Sequence, residues 1–208
     1  MPGVVGSRPY PWPFDGRLTI ERTAVVACGT QSLWSGLSVD VDVVLERMSA
    51  VAAAARRVGV PVVWIRHGRR NAGSSSRRFG PASPPVVGSV DWELCAPARG
   101  GDWVVDAAGH DATFGSPLVH DLRVAGRDQL VLCGLAADVC VDSTLRSLND
   151  EGFECLVLED ACAPLDRVTG AGTLHSVTMS GGIFGALGSS AAVVDALASL
   201  CDHENDRS

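Results

Sequence analysis

Short apolar runs alternate with helix-length segments along most of the chain, and this alternation constrains the fold more than any other feature. Residues 129–134, Gln-Leu-Val-Leu-Cys-Gly, are nearly continuous in apolar side chains, which is typical of a strand buried on both faces. Strands that alternate with helices predict an α/β fold, in which helices cover both faces of a parallel sheet. The predicted strands are Thr23–Cys28, Pro61–Arg66, Trp103–Asp106, Gln129–Gly134, Glu154–Glu159 and Gly182–Ala186, and the predicted helices cover residues 40–57, 116–125, 138–150, 168–179 and 189–200.

Three segments fall outside this alternation. Residues 1–20 mix Pro and Gly with aromatic residues and predict an extended arm. Residues 67–101 are rich in Ser, Arg and Pro without periodicity, which predicts a loop over a functional site or a mobile segment. Residues 201–208 form a polar tail. A chain of 208 residues is therefore predicted to hold one domain, residues 21–200, between an arm and a tail.

The composition excludes several classes of protein. The formal net charge of −7 argues against binding to nucleic acid or to an anionic membrane, and no apolar run is long enough to span a bilayer. All 17 basic residues are Arg, which excludes a mechanism that takes a Lys from this chain. The seven cysteines include no Cys-x-x-Cys pair, and the start of the chain lacks the pattern of a signal peptide. We therefore expect a cytoplasmic protein with reduced thiols.

Cys140 lies where a ligand site is expected. An apolar strand ends at Gly134 and a helix is predicted to begin near Asp138, so Cys140 falls in the first helical turn at the carboxyl edge of the sheet. Ligands of open α/β sheets bind at that edge. The positive end of a helix would favour a thiolate and could bind an oxyanion, although Cys140 can equally be one of several packed thiols. Asp138 is expected to cap the helix rather than to act as a base.

The segment Gly134-Leu-Ala-Ala-Asp-Val-Cys-Val141 resembles the nucleophile motif of the isochorismatase-like cysteine hydrolases. Pro9–Gly16, Gly152–Cys162 and Gly181–Gly185 are most similar to the branch that contains biuret and ureidoacrylate amidohydrolases, and the resemblance covers roughly residues 9–200. It implies a Rossmann-like three-layer α/β/α sandwich with a mainly parallel sheet, assembled as a homo-oligomer. It also implies a non-proline cis peptide within residues 135–137.

The resemblance further implies that two of three catalytic residues are missing. The family's Asp falls on Gly29, and its Lys falls on Ala108 or Ala107, so only Cys140 remains of the Asp-Lys-Cys set. A Gln that contacts the substrate in this branch falls on Ser180. The metal-binding Asp and His residues of nicotinamidases are also absent, and we expect neither a metal nor another cofactor.

The other candidates for contact with a small-molecule substrate surround this position in the motifs. They are Phe114, which follows the missing Lys, the backbone of Ala136 and Ala137 beside the nucleophile, Arg66 at the mouth of the site, and Trp103 or Trp34 as a pocket wall. Arg66 can equally belong to a solvated loop, and Trp103 and Phe114 can belong to the core.

Two functions remain open. In the first, the protein is a divergent enzyme in which Cys140 attacks a carbonyl, amide or related C–N substrate. His67 or His110 then replaces the base, oriented by Asp106 or Asp111, although either histidine can be a loop side chain that faces water. The changes cluster at the site while the scaffold motifs persist, which favours this hypothesis and suggests a new substrate or a non-hydrolytic reaction, such as a tailoring step in specialised metabolism.

The alternative is a catalytically inactive pseudohydrolase that binds a small molecule or serves as the partner subunit of an active hydrolase. Removing members of a catalytic set that acts as a unit typically costs ~10⁴–10⁶ in rate. The two hypotheses differ in whether an ionisable group lies within hydrogen-bonding reach of the Cys140 thiol.

Overall fold

The computed structural model describes residues 3–13, 18–69, 83–96 and 98–205. Their helices and strands, in chain order, are β1 (Thr23–Cys28), α1 (Ser32–Leu37), α2 (Val41–Arg57), β2 (Val62–His67), β3 (Trp103–Ala107), α3 (Leu118–Val124), β4 (Gln129–Leu135), α4 (Asp142–Asp150), β5 (Glu154–Ala163), α5 (Arg167–Val177), β6 (Ala186–Gly188) and α6 (Ser190–Asn205). Short 3₁₀ helices cover Val90–Trp92 and Met179–Gly181, and a π-helical turn, Ala137–Val141, leads into α4.

The six strands form one parallel sheet in the order β3-β2-β1-β4-β5-β6. The strand order therefore reverses between β1 and β4, which are neighbours in the middle of the sheet. Ligands bind at such a switch point, outside the carboxyl ends of the strands. The predicted α/β fold, a Rossmann-like sandwich with a parallel sheet, is confirmed.

The burial of the central strands explains why their sequences are nearly continuous runs of apolar residues. Every residue of β1 and of β4 is buried, since helices cover both faces of the sheet there. Helix α2 buries Val44, Met48, Val51 and Ala55, which lie on one face of a helix, and it packs against β1, β4, β5 and α6.

The N-terminal arm covers the edge strand β6. The N–H of Arg8 donates to the carbonyl of Leu187 at 2.7 Å, and the N–H of Leu187 donates back to the carbonyl of Arg8. Within the arm, Val4 pairs with Trp12, whose side chain is fully buried. Covering a short edge strand in this way removes a row of unpaired backbone groups.

Several predicted elements differ from the structure, among them β5, which continues to Ala163 past its predicted end at Glu159. The strand predicted over Gly182–Ala186 is wrong, because Gly182 and Gly185 take φ values of 92° and 144° and β6 begins only at Ala186. Helix α1 was not expected, since six residues are too few to show a helical period. Helix α6 continues to Asn205, past its predicted end at residue 200. Residues 70–82 of the predicted loop lie outside the described residues.

The cysteines at 28, 95, 133, 140, 155 and 162 are free thiols, and all of them except Cys95 are buried. Of the helices in the described part of the chain, none combines the length and the apolarity that crossing a membrane requires.

Candidate active site

Cys140 lies in the π-helical turn that follows β4 at the switch point of the sheet. β4 ends at Leu135, and the peptide bond from Leu135 to Ala136 is cis, as the resemblance implies. The N–H groups of residues 139–141 all donate to the carbonyl of Ala136, the N–H of Cys140 at 2.9 Å. The N–H of the candidate nucleophile and those of its two neighbours are therefore bonded within the turn itself.

The Cys140 thiol is fully buried. Burial raises its pKa well above the ordinary value, and the nearby ionisable groups of Cys28 and Asp138 raise it further, against a smaller lowering by the backbone at Ala136. The expectation that this position favours a thiolate is therefore wrong. The desolvation of the charged form outweighs the attraction of the helix end.

The ionisable groups that act on this thiol are a second cysteine and an aspartate. The groups that influence the pKa of Cys140 are Cys28, Ala136 and Asp138. Cys28 is itself buried, and desolvation raises its pKa to about 12 although a hydrogen bond with Thr144 lowers it. The ionisable groups beside Cys140 are thus the neutral thiol of Cys28 and the carboxylate of Asp138.

Asp138 neither caps its helix nor faces the thiol as a base. One carboxylate oxygen accepts the N–H of Leu165 at 2.9 Å, and the other accepts the hydroxyl of Thr169 at 2.8 Å. The predicted cap is wrong because the helical turn begins at Ala137, one residue earlier. Asp138 instead ties the turn that carries Cys140 to the beginning of α5.

At Gly29 the backbone leaves no room for a side chain. Its φ is +60°, and a Cβ at this position would lie 1.9 Å from the carbonyl oxygen of Leu135. The indole of Trp34 stands next to it, with Cδ1 3.2 Å from the same Cβ position. The Asp that the resemblance places here in active relatives is not compatible with this backbone.

His67 is the last residue of β2 and is fully buried. Its Nδ1 lies 3.0 Å from the carbonyl of Gly109, to which it donates. Desolvation lowers the pKa of His67 to about 4, although the Gly109 carbonyl raises it and His110 lowers it further. Since a general base works best with a pKa near the working pH, the suggestion that His67 replaces the missing base loses its physical support.

The side-chain amide of Gln31 fixes the backbone around His67. Its Oε1 accepts the N–H of His67 at 2.8 Å, while its Nε2 donates to the carbonyls of His67 and Trp92 at 3.0 and 2.8 Å. β1, β2 and the 3₁₀ helix that carries Trp92 are therefore held together at the carboxyl edge of the sheet.

Four buried polar atoms at this edge have no hydrogen-bond partner in the described structure. They are Thr30 Oγ1, Trp34 Nε1, His67 Nε2 and Trp92 Nε1. Nearly all buried polar atoms are bonded, and an unsatisfied one costs about 1–3 kcal/mol. Sequence reasoning named Trp34 and His67 but missed Thr30 and Trp92, because Trp92 lies in an aperiodic segment and Thr30 carries no motif of its own.

The segment after β3 brings one candidate residue to this edge and exposes two others. His110 stacks against Trp34, with ring centroids 5.9 Å apart. Ala108 is exposed and donates its N–H to the carbonyl of Phe114, whose side chain is 63% exposed. The interpretation of Phe114 as a core residue is therefore wrong for the single chain.

The two carboxylates suggested as orienting groups have other partners. Asp111 accepts the N–H of Thr113 at 2.8 Å and the hydroxyl of Ser147 at 2.7 Å. Asp106 accepts two hydrogen bonds from Arg66, at 2.7 and 3.1 Å. The positive charge of Arg66 is thus paired with a carboxylate.

One predicted contact residue lies apart from Cys140, and another is exposed. Trp103 is the first residue of β3, which puts it at the amino edge of the parallel sheet, opposite Cys140, and the prediction that it lines the site is wrong. Ser180 is exposed in a 3₁₀ turn with a φ of 51°. Ala136 and Ala137, in contrast, are buried beside Cys140. Among the residues that the structure describes, no group of three His, Cys, Asp or Glu side chains could hold a metal ion.

Comparison with known proteins finds ureidoacrylate amidohydrolases and an uncharacterized isochorismatase family protein among the relatives of this chain. Ureidoacrylate amidohydrolase RutB of Methylorubrum extorquens is 28% identical over 182 residues, which cover 74% of this chain and 73% of the relative. The uncharacterized isochorismatase family protein YecD of Escherichia coli O157:H7 is 30% identical over 154 residues, which cover 70% of this chain and 82% of the relative. A shorter match, to RutB of Methylobacterium radiotolerans, is 29% identical and spans 57% of this chain and 54% of the relative.

Solved structures and a family model agree with these relatives. The crystal structure of a cysteine hydrolase from Pseudomonas syringae pv. phaseolicola 1448A has a TM-score of 0.78 at 20% identity, covering 88% of this chain and 95% of the other, and it shares the fold. Residues 23–184 match the model of the isochorismatase domain. The chain therefore belongs to the isochorismatase family.

Proposed function

We propose that this protein is a catalytically silent isochorismatase-family member, which binds a small molecule without cleaving it through Cys140. The complete burial of Cys140 carries this proposal. A cysteine hydrolase needs a thiolate in contact with its substrate, whereas burial raises the pKa of this thiol well above its ordinary value and protein atoms shield it.

The surroundings of Cys140 support the same conclusion. Activation of a cysteine requires a base or a positive group beside it, and the described neighbours are another buried thiol and a carboxylate. The backbone N–H of Cys140 is bonded to Ala136, so it is not free to stabilise an oxyanion. A divergent enzyme acting through Cys140 would need another base, and His67 instead donates to the Gly109 carbonyl, with its pKa lowered to about 4.

A hydrolysis assay tests this function. Purified protein is incubated with ureidoacrylate, the compound named in its curated relatives, and ammonia release is followed with RutB of Methylorubrum extorquens as the active control. We expect the wild type, Cys140→Ser and the buffer blank to give the same rate. A wild-type rate above the blank that disappears in Cys140→Ser would overturn the proposal. Because Ser is close to Cys in size, this variant changes the reactivity of the site with little change in packing.

A further inference from the structure

A cavity of about 400 Å³ lies at the amino edge of the sheet, opposite Cys140, and we call it the amino-edge cavity. Its lining comes from the end of α2, from the beginnings of β2 and β3, and from Arg127, which precedes β4. Protein sites for small ligands typically have volumes of about 300–1,000 Å³. Gly59, Gly100 and Gly101 of the lining are exposed, so the cavity can be entered from solvent.

Arg127 brings a positive charge to this cavity that no carboxylate balances. It is half-buried, and its Nη1 donates to the main-chain carbonyls of Ile20 and Thr23, the latter at 3.3 Å. Its Nη2 has no partner among the described residues and is not one of their buried unpartnered atoms, so it stays open to a ligand. Within the described chain Arg127 takes part in no ion pair. A charge that has lost part of its hydration favours an opposite charge beside it.

The other two charges in the lining neutralise each other. Asp102 accepts two hydrogen bonds from Arg56, at 2.9 and 2.6 Å, and two more from an indole and a main-chain N–H. Its side chain is only 2% exposed, so it does not balance Arg127. Arg57 and Arg99, which are exposed and adjoin lining residues in the sequence, form no ion pair with a described residue either. This edge is therefore positive, although the formal net charge of the chain is −7.

Trp103 and the glycines determine what else can touch a ligand in the cavity. Trp103 lines it and is partly exposed, which offers the apolar surface of an indole. A Cβ at Gly59, Gly100 or Gly101 would meet no atom within 4 Å, so no side chain blocks the main chain at these positions. The cavity thus presents apolar surface and an unbalanced positive charge to the same molecule.

We propose that the amino-edge cavity binds a small oxyanion, a carboxylate or a phosphate ester, whose charged group accepts hydrogen bonds from Arg127 and whose apolar part lies against Trp103. The planar guanidinium of arginine suits both kinds of oxyanion. This inference goes beyond the proposed function, because the cavity lies at the opposite edge of the sheet from Cys140 and does not depend on whether Cys140 is silent.

NMR of the full-length protein labelled with ¹⁵N-tryptophan tests the inference. The probes are benzoate, phenyl phosphate and benzamide, which share a phenyl ring and carry a carboxylate, a phosphate and no charge. The indole signal of Trp103 is assigned from its loss in Trp103→Phe. We expect benzoate or phenyl phosphate to move this signal and to bind about 10-fold more tightly than benzamide, as hydrogen bonds to a charged group predict. The tighter of the two probes identifies the class of oxyanion.

Three variants locate the interaction. Arg127→Gln, which keeps a donor but loses the charge, should bind the preferred oxyanion about 10-fold more weakly. Arg167→Gln removes the same charge from an exposed position at the beginning of α5 and should bind as wild type. Cys140→Ser should also bind as wild type, since its side chain lies at the other edge. If Arg127→Gln does not fold, the comparison of the oxyanions with benzamide in the wild type decides alone.

The inference is overturned if neither oxyanion moves the Trp103 indole signal, if benzamide binds as tightly as both, or if folded Arg127→Gln binds normally. Hydrolysis of ureidoacrylate that depends on Cys140 would overturn the proposed function and leave this inference standing, because the Trp103 signal reports binding at the amino edge alone.

Discussion

The backbone of Gly29 lies so close to Leu135 that a Cβ on Gly29 would stand 1.9 Å from the Leu135 carbonyl oxygen. One residue earlier on β4 the contact is reciprocal, since a Cβ on Gly134 would stand 2.0 Å from the carbonyl oxygen of Cys28. The two strands that flank the switch point therefore meet main chain against main chain at their carboxyl ends. A catalytic Asp cannot be restored at position 29 by one substitution, because the backbone itself fills the space.

Substitution of Gly29 should consequently destabilise the fold. Gly29→Ala combines a positive φ with a backbone clash, and we expect it to lower the free energy of unfolding by about 3 kcal/mol or more. Gly36→Ala is the matched control, since Gly36 lies in α1 with open space around its Cβ position, and it should be neutral or slightly stabilising. Urea denaturation of the three proteins measures this difference. Equal midpoints for Gly29→Ala and Gly36→Ala would contradict the close approach of β1 and β4.

Two glycines of α5 offer a similar comparison beside the turn that carries Cys140. A Cβ on Gly170 would lie 2.4 Å from Cβ of Pro164, whereas Gly172 has nothing within 4 Å. Gly170→Ala should destabilise by about 1–3 kcal/mol through overpacking, and Gly172→Ala should stabilise by up to about 1 kcal/mol through helix propensity. Thermal unfolding should show shifts of opposite sign. If both variants shift the midpoint in the same direction, α5 does not pack on Pro164 as described.

The thiols should differ sharply in their reactivity towards iodoacetamide. Cys140 is fully buried and its pKa is raised, whereas Cys95 is exposed, so native protein should be alkylated at Cys95 before Cys140. We expect Cys140 to react about 10³-fold more slowly in the native state than in urea, because it must wait for an opening of the structure. Peptide mass spectrometry over a time course measures both sites, with Cys95→Ser as the control for indirect effects. Fast labelling of native Cys140 would show that the thiol is accessible and would weaken the proposed function.

The sequence predicts those parts of the fold that depend on local pattern. β1 is found over Thr23–Cys28, as predicted, because both faces of this strand are buried and its apolar run is uninterrupted. The turn that carries Cys140 was expected at the carboxyl edge, where the structure has it. The burial of the Cys140 thiol was not predictable, because it depends on how closely β1 approaches β4. That approach is a long-range contact, which leaves no signal in the local sequence.

The burial of His67 was likewise not predictable from the local sequence. The predicted strand ends at Arg66, which would leave His67 in a loop, but β2 continues through His67 and carries its side chain into the interior. Trp103 was placed at the site without regard to strand direction, and the first residue of a parallel strand lies at the opposite edge. Trp92, which packs beside β2, comes from a segment without periodicity, so that only the tertiary structure brings it to this edge of the sheet.

The burial of His67 also predicts how stability depends on pH. Its pKa in the folded protein is about 4, below its ordinary value of 6.5, because desolvation disfavours the charged ring, with His110 lowering it and the Gly109 carbonyl and Asp111 raising it. As the pH falls below about 6.5, the unfolded chain takes up the proton first, so stability is full above this pH and is lost progressively down to about pH 4. The difference between the two pKa values corresponds to about 3 kcal/mol.

Urea unfolding of wild type, His67→Gln and His120→Gln between pH 7.5 and pH 4, a range set around the ~6.5 of free histidine, measures this contribution. Carboxylates that titrate at the lower end are shared by all three proteins, so their effect cancels when the curves are subtracted. Wild type and His120→Gln should lose stability together, and the difference between wild type and His67→Gln should shrink by about 3 kcal/mol as the pH falls. Parallel curves for wild type and His67→Gln would mean that His67 is protonated as easily in the folded protein as in the unfolded chain. That result would contradict the burial of the His67 ring and its hydrogen bond to the Gly109 carbonyl.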